Sequence, residues 1–475
     1  MSKIQSNFIY NVALTLSTYI INLVVFPYVS RVLGVDNIGK VGFVENIISY
    51  FSLFAMMGVA TVGVREIASC GNDINKRSEV FSSLLSLLLR TTLLVVAIYA
   101  ICIVVVPRFQ VDKSLFMIGT SQLFMTSLLI EWLYQGLENF KFIAIRNVAI
   151  KILYAIIVFL VIKDSSDYIL YFALSCGVIV VNGLINFLYS RNFVRLTFTR
   201  GSWKTFLKPM VSLGVYKVLV SMYTTFNVVV LGFLHSDTEV GYYYTSIKLF
   251  TILLGVLTAF TTVMMPRMSS LFSEGRQEEI KQKIGYSFDL VICLAIPFVI
   301  YSIVLSPQIV GILAGTGYEG AVLPMRIIML NVLFVGLAQI WVIQVLLPMK
   351  KDKIILYSSI VGAIVGVTAN IMLVKPLGAV GSAIVLIVAE LAGDLPSFIY
   401  AVKHKLISFP FNSILKNALL SIPYIGLCYL SLIFNFNNVI TLLVAAAMCA
   451  VYFVIMHHYL LPDSFVSQYI RKIKI

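Results

Sequence analysis

The 475-residue chain has the composition of a membrane protein. Apolar residues make up 60% of it and charged residues only 12%, with a mean hydropathy of +0.97, whereas a soluble domain carries about a quarter charged residues. An ordinary soluble globular protein is therefore excluded. The formal net charge of +14 fits attraction to anionic membrane lipids, and we infer no nucleic-acid partner from it.

Apolar runs long enough to cross a bilayer recur along the whole chain. A hydrocarbon core of ~30 Å needs about 20 helical residues at 1.5 Å per residue. We predict an all-α membrane protein with fourteen spans and no soluble domain between them. The approximate spans are residues 9–30, 41–63, 80–106, 115–136, 143–162, 168–189, 211–234, 243–265, 285–305, 322–347, 354–374, 379–401, 413–434 and 438–460.

The distribution of basic residues predicts the orientation. With a cytoplasmic N-terminus, 24 of the 35 Lys and Arg residues fall in the even-numbered connections and the two tails or within four residues of them. Positive charges near span ends stay preferentially on the cytoplasmic side, so both termini are predicted to be cytoplasmic. The first apolar run has no small-residue cleavage site at its end, which indicates a retained span and not a signal peptide.

The usual sequence patterns of enzymes and metal sites are missing. The six cysteines include no CxxC pair and the four histidines have no ligand spacing, so we predict no catalytic residues and no metal site. The segment GTGYEG, residues 315–320, matches G-x-G-x-x-G but follows no βαβ pattern, and a turn is predicted there. No P-loop occurs, which argues against direct ATP hydrolysis.

The sequence contains an internal repeat. WLYQGLENFK (132–141) returns as WVIQVLLPMK (341–350), with Trp, Gln and Lys at the same spacing. Two further matches share an offset of 201 to 209 residues: LGVDNIG (33–39) with LHSDTEVG (234–241), and Arg65 with Arg267. The offset corresponds to six spans, an even number, so both copies enter the membrane from the same side. Parallel repeats related by an axis along the membrane normal are therefore predicted.

The repeat predicts two six-helix lobes around a central cavity, followed by two additional helices. The N-terminal lobe would cover residues 1–208, the C-terminal lobe 209–405, and the additional spans with a basic tail 406–475. Such a cavity is typical of an alternating-access transporter. A channel would need a filter motif, which is not found, and a membrane scaffold would not need polar residues within both lobes.

Charged residues within the spans are the candidate site residues, because a charge in hydrocarbon is costly unless it faces protein or water. We hypothesise a cationic cavity that binds an anionic group, formed by Arg90, Lys217, Lys248 and Arg326. The other charges within spans are Lys151, Glu45, Glu131, Asp289, Glu390 and Asp394. The alternative is that these five cations and five acids form structural ion pairs.

Polar stripes at helical spacing favour a water-filled cavity. On span 1 the stripe is Asn11, Thr15, Thr18 and Asn22; on span 2 it is Glu45, Ser49 and Ser52; on span 7 it is Lys217, Ser221 and Thr224. Because spans 1 and 7 are repeat partners, both predicted lobes present polar groups.

Three segments carry a resemblance to a known family. Residues 27–68, which begin PYVSRVLGVDNIG, resemble the N-terminal signature of the bacterial polysaccharide biosynthesis proteins, the Wzx-type O-antigen flippases. Residues 306–330, SPQIVGILAGTGYEGAVLPMRIIML, and 376–385, PLGAVGSAIV, are similar to two further stretches of that family. These proteins belong with the multidrug and toxin extruders and the lipid II flippases in one exporter superfamily.

The resemblance implies a flippase that moves an undecaprenyl pyrophosphate-linked oligosaccharide across the bacterial inner membrane, with no enzyme activity. It implies proton or sodium antiport, with relay carboxylates among Glu45, Asp289, Glu390 and Asp394, and no other cofactor. The polysaccharide polymerase and chain-length machinery are implied partners. The alternatives are a cation-coupled multidrug exporter of the same superfamily and a membrane-embedded glycosyltransferase, which the short outer loops disfavour.

Overall fold

The computed structural model describes residues 3–197 and 203–461, and these ranges contain helices and no strand. The predicted all-α fold class is therefore confirmed. The chain divides into two compact units, residues 1–241 and 242–475.

Among the described residues, ten α-helices lie wholly in the first unit, one crosses from the first unit into the second, and seven lie in the second. The first ten are α1 (Lys3–Met56), α2 (Val59–Ser69), α3 (Ile74–Val105), α4 (Pro107–Val111), α5 (Lys113–Thr126), α6 (Glu131–Gly136), α7 (Phe140–Val161), α8 (Tyr168–Ser190), α9 (Lys204–Thr224) and α10 (Phe226–Leu234). The others are α11 (Asp237–Glu274), α12 (Gln277–Val304), α13 (Ser306–Leu313), α14 (Val322–Gln339), α15 (Asp352–Lys403), α16 (Phe411–Leu420), α17 (Ile422–Ile433) and α18 (Asn438–Ile455).

Two very long helices each contain a pair of predicted spans joined at a glycine. Gly34 in α1 has φ 77° and ψ 167°, and Gly378 in α15 has φ 54° and ψ −131°. Glycine adopts positive φ without the steric penalty that a side chain brings. One residue therefore makes each turn between spans 1 and 2 and between spans 11 and 12.

The helices are long and apolar enough for a multi-pass membrane protein. Within the described residues, ten helices could cross a membrane, or eleven if the bent pair α9 and α10 is one span. Two of the ten are the merged helices that hold two predicted spans each. A multi-span helical protein is thus confirmed, while the number fourteen stays a prediction.

Several predicted spans differ from the observed helices at their ends or in their continuity. The predicted span 115–136 is interrupted between α5 and α6, where Ile130 has φ 26°. The span 211–234 bends by 53° between α9 and α10, and 413–434 is divided between α16 and α17. Span 3 begins at Ile74 and not at residue 80, because the Asp73 carboxylate accepts the backbone N–H groups of the first turn.

The repeated tryptophan is a core residue in both units. Trp132 packs with Phe81 and Tyr134 in the first unit, and Trp341 packs with Phe288 in the second. Both are buried, with exposed fractions of 2% and 6%. The repeat therefore encodes equivalent packing positions.

The compact units and the predicted lobes are defined by different criteria. The division by contacts falls after Gly241, so α9 and α10, which form predicted span 7, pack with the first unit. The lobe boundary near residue 208 follows from the repeat alone, and the predicted lobes 1–208, 209–405 and 406–475 stay a prediction.

Candidate functional site

Two of the candidate cations lie in the first unit. Arg90 is exposed halfway along α3, and its guanidinium lies 4.5 Å from the ring centroid of Trp203. Lys217 is half-buried on α9. Among the ion pairs of the described residues, neither cation has an acidic partner. Within the described residues, neither charge is therefore neutralised by an ion pair.

The polar stripe of α1 is occupied in part by a cation from α7. The Lys151 ammonium donates to the Thr18 hydroxyl at 2.5 Å, and Thr18 donates to the Leu14 carbonyl at 2.9 Å. Asn22 is exposed on the same helix. The predicted stripe thus includes a real polar contact between two helices.

Ser221, on the polar stripe of span 7, contacts span 2 through its backbone carbonyl. The Tyr50 hydroxyl donates to the Ser221 carbonyl at 2.6 Å, which links span 2 to span 7. Asn11, Thr15 and Thr224 lie outside the residues whose side chains the structure describes.

Glu131, one of the ten charges within predicted spans, forms a structural ion pair. The Arg146 guanidinium donates to the Glu131 carboxylate at 2.5 Å, and the Asn147 amide donates to the same oxygen at 3.2 Å. Arg146 is only 6% exposed. Arg146 lies near the predicted cytoplasmic start of span 143–162 and counts among the basic residues of that side, whereas the structure buries it on α7.

The second unit places its two candidate cations in different surroundings. The Lys248 ammonium lies 4.7 Å from the ring centroid of Tyr244. Arg326 Nε donates to the Ile303 carbonyl at 3.1 Å and to the Ser306 hydroxyl at 2.7 Å. These bonds attach α14 to the junction of α12 and α13, so Arg326 has a structural contact, and its substrate role stays a prediction.

The acidic candidates have different surroundings within their own units. Asp289 accepts a hydrogen bond from Ser413 of α16 at 3.2 Å, in a segment outside the predicted repeat. Glu390 and Asp394 lie one turn apart on α15, hence on one face. One carboxylate oxygen of Glu390 is buried with no hydrogen-bond partner among the described residues. Glu45 is half-buried on α1.

The carboxylate pair on α15 flanks a close helix crossing. A Cβ added at Gly393 would lie 3.3 Å from the Gly362 Cα, so the two halves of α15 approach each other there through glycines. The two carboxylates therefore lie beside a close contact between the two halves of α15.

An arginine network on the predicted outer side was missed by sequence reasoning. Arg108 Nε donates to the Gly232 carbonyl at 3.0 Å, and its Nη groups form ion pairs with Asp112, at 3.2 Å, and with Asp237. Burial raises the pKa of Asp237 by more than the neighbouring Arg108 lowers it. The arginine thus joins α4 to the end of span 7 and the start of α11.

The two turns that match in the repeat touch each other reciprocally. A Cβ on Gly39 would lie 1.8 Å from the Asp237 carbonyl oxygen, and a Cβ on Gly241 would lie 2.3 Å from the Val35 carbonyl oxygen. Each glycine therefore approaches the backbone of the other turn. This is the pattern expected of a local two-fold axis between parallel repeats.

These features define a multi-pass helical membrane protein with charged and polar residues within its spans, a class that includes transporters. The chain matches the family "Polysaccharide biosynthesis protein" over residues 4–272. It belongs to this family, as the resemblance of residues 27–68 predicted.

Two curated relatives carry the name "Putative O-antigen transporter". The protein of Escherichia coli K12 is 22% identical over 363 residues, covering 74% of this chain and 85% of the relative. The protein of Shigella dysenteriae is 25% identical over 382 residues, covering 79% and 94%. Both names are those of transporters and not of enzymes.

Solved structures share the fold. The lipid II flippase MurJ in an inward closed conformation has a TM-score of 0.78 at 16% identity, covering 95% of this chain and 99% of MurJ. An inward-facing multidrug resistance MATE transporter of the MOP superfamily has a TM-score of 0.60 at 13% identity, covering 84% and 98%. The predicted likeness to the extruder fold is confirmed.

Proposed function

We propose that this protein is a flippase that moves undecaprenyl pyrophosphate-linked oligosaccharide units, of O-antigen or a similar surface polysaccharide, from the cytoplasmic to the periplasmic leaflet. The observation that carries the proposal is family membership over more than half of the chain, supported by relatives named for O-antigen transport. The protein would lie in the bacterial inner membrane with both termini in the cytoplasm, consistent with the distribution of Lys and Arg.

The chemistry of this substrate fits the candidate residues. A pyrophosphate and its sugars cannot cross hydrocarbon unshielded, so the path must offer cations to the phosphates and polar groups to the sugar. Arg90 and Lys217 in the first unit, and Lys248 in the second, are cations without an ion-pair partner among the described residues. No covalent bond changes during flipping, and hence no catalytic residue is needed.

The test of the function is a strain deleted for the gene, with and without the gene restored. We expect deletion to retain the lipid-linked unit on the cytoplasmic side and to remove the surface polymer, and restoration to reverse both effects. If the surface polymer is unaffected and drug tolerance falls, the multidrug exporter alternative replaces the proposal.

Neutralising the cations should impair transport without preventing insertion. In the deletion strain, Arg90→Gln and Lys217→Gln should each lower the rate of flipping by about 10-fold, the equivalent of one charge-assisted hydrogen bond. Lys351→Gln, on the predicted cytoplasmic side, is the matched control. Normal flipping by both variants at normal protein levels would disprove the cationic role.

The energy source in this proposal is antiport of protons or sodium. Glu390 and Asp394 are the carboxylates that fit best, because they share one helix face and a Glu390 oxygen is buried with no hydrogen-bond partner in the described part of the chain. In vesicles, Glu390→Gln with Asp394→Asn should remove the response of flipping to an imposed ion gradient, whereas the cation variants should lower flipping at every gradient. A retained gradient response would exclude this pair. The polysaccharide polymerase and chain-length machinery would act on the flipped product.

A further inference from the structure

A cavity of about 360 Å³ lies where α8 ends and the chain turns back along α3. It is separate from the intramembrane charges discussed above. Its lining includes Phe81, Phe187, Val194 and Leu196, together with two arginines, Arg191 and Arg195.

One side of the cavity is formed by residues 194–197, which are hydrogen-bonded to α3. The backbone N–H of Arg195 donates to the Ser78 hydroxyl at 2.9 Å, and the backbone N–H of Thr197 donates to the Ser82 hydroxyl at 2.9 Å. Because Ser78 and Ser82 lie one turn apart on α3, they fix two alternate amides of the segment. The backbone position of Arg195 is therefore set by its contact with α3, and Arg191 is the residue that directly follows α8.

The two guanidinium groups are available for a ligand. Both Arg191 and Arg195 are exposed, and neither takes part in an ion pair within the described part of the chain. They are four positions apart at the border of one cavity. Guanidinium pairs of this kind bind phosphate through charge-assisted hydrogen bonds.

The apolar surface beside the arginines identifies the kind of molecule. Leu196 is 65% exposed and Leu188, on the last turns of α8, is 57% exposed. Phe81 and Val194 form a buried apolar floor. A free phosphate would leave this apolar surface in water, whereas a lipid covers it with an acyl chain. The connection between spans 6 and 7 is also predicted to face the cytoplasm, where anionic lipids attract basic residues.

We propose that this cavity binds the phosphate of an anionic phospholipid from the leaflet predicted to be cytoplasmic, with Arg191 and Arg195 on the headgroup and an acyl chain along Leu188 and Leu196. The lipid would hold the segment that follows α8 against α3. This role is independent of the transported substrate, so the site can exist even if the proposed function is wrong.

The experiment compares lipid binding by the full-length protein in detergent. Phosphatidylglycerol and phosphatidylethanolamine with identical chains are titrated, and bound lipid is counted by native mass spectrometry while the melting temperature is recorded. We expect selective retention of phosphatidylglycerol and a rise in melting temperature. Arg191→Gln with Arg195→Gln should lower the apparent affinity by at least about 10-fold, and Lys351→Gln with Lys353→Gln, which removes the same charge elsewhere, should leave it unchanged.

Further measurements distinguish the binding of a phospholipid from the binding of other phosphate compounds. Leu196→Asn should weaken retention of phosphatidylglycerol while it keeps both arginines. Equal retention of phosphatidylglycerol by wild type and the double arginine variant would overturn the proposal. The proposal would also be overturned if inorganic phosphate or pyrophosphate alone produced the full arginine-dependent rise in melting temperature. If the double variant is unstable, the single variants Arg191→Gln and Arg195→Gln decide the same question.

Discussion

Replacing Gly39 by alanine is expected to separate the turns after predicted spans 1 and 7 and to abolish transport. A Cβ at this position would lie 1.8 Å from the Asp237 carbonyl oxygen. The clash is with backbone and cannot be relieved by rotation of a side chain. Overpacking of this kind typically costs about 1–3 kcal/mol or more.

The effect on transport follows from alternating access. If contact between the two turns stabilises a state closed on the outer side, then a cost of about 1–3 kcal/mol lowers its population about 5- to 150-fold. Gly241→Ala should produce the same defect, because its Cβ would meet the Val35 carbonyl oxygen at 2.3 Å. The reciprocal geometry thus predicts that two residues far apart in sequence have one phenotype.

A cross-link provides the measurement. The Thr238 hydroxyl donates to the Asp36 carboxylate at 2.5 Å, so Asp36→Cys with Thr238→Cys reports whether the turns meet. The yield of disulfide should fall in Gly39→Ala. Gly177→Ala and Gly285→Ala serve as controls, since their Cβ atoms would meet nothing within 4 Å. Normal cross-linking and normal transport in Gly39→Ala would refute the role of this contact.

The repeat could be predicted from the sequence because its matching residues are ones that packing requires. Trp132 and Trp341 mark equivalent core positions, and the match between LGVDNIG and LHSDTEVG marks two turns that touch. The sequence could suggest that these segments are related. It could not show that they are in contact, because a shared pattern contains no distance.

Long-range polar contacts left no signal in the sequence. Arg108 binds Asp237, which is 129 positions away, and Lys151 binds Thr18 at a separation of 133. Arg108 lies in the connection between predicted spans 3 and 4, and its position in the sequence does not indicate these partners. Helix periodicity places a residue on a face but does not say which helix that face meets.

The interruptions within predicted spans also left no signal in the sequence. Ile130 adopts φ 26° at the break between α5 and α6, a conformation that β-branched residues rarely adopt. Nothing in local propensity predicts a break at isoleucine, since glycine and proline are the usual signals. The surrounding packing therefore determines this break, and apolar length alone predicted one continuous span.

The ion pair of Arg146 and Glu131 should be essential for stability because its arginine is buried, although 34% of the Glu131 side chain is exposed. Arg146 is 6% exposed, and its Nε and one Nη already lack hydrogen-bond partners among the described residues. Glu131 is its carboxylate partner. Glu131→Gln leaves a buried charge uncompensated, which we expect to lower the free energy of unfolding by about 3–5 kcal/mol.

A double substitution separates the cost of leaving the buried Arg146 charge unpaired from the loss of attraction between the two side chains. Glu131→Gln with Arg146→Met removes both charges and should recover most of the stability, because two neutral side chains carry no penalty for an unpaired buried charge. The matched control is Glu66→Gln, whose partner Arg65 has a 65% exposed side chain. An exposed pair contributes only about 0–1 kcal/mol. Unfolding of the purified variants in one detergent measures all three, and equal losses for Glu131→Gln and Glu66→Gln would show that burial does not determine the strength of this pair.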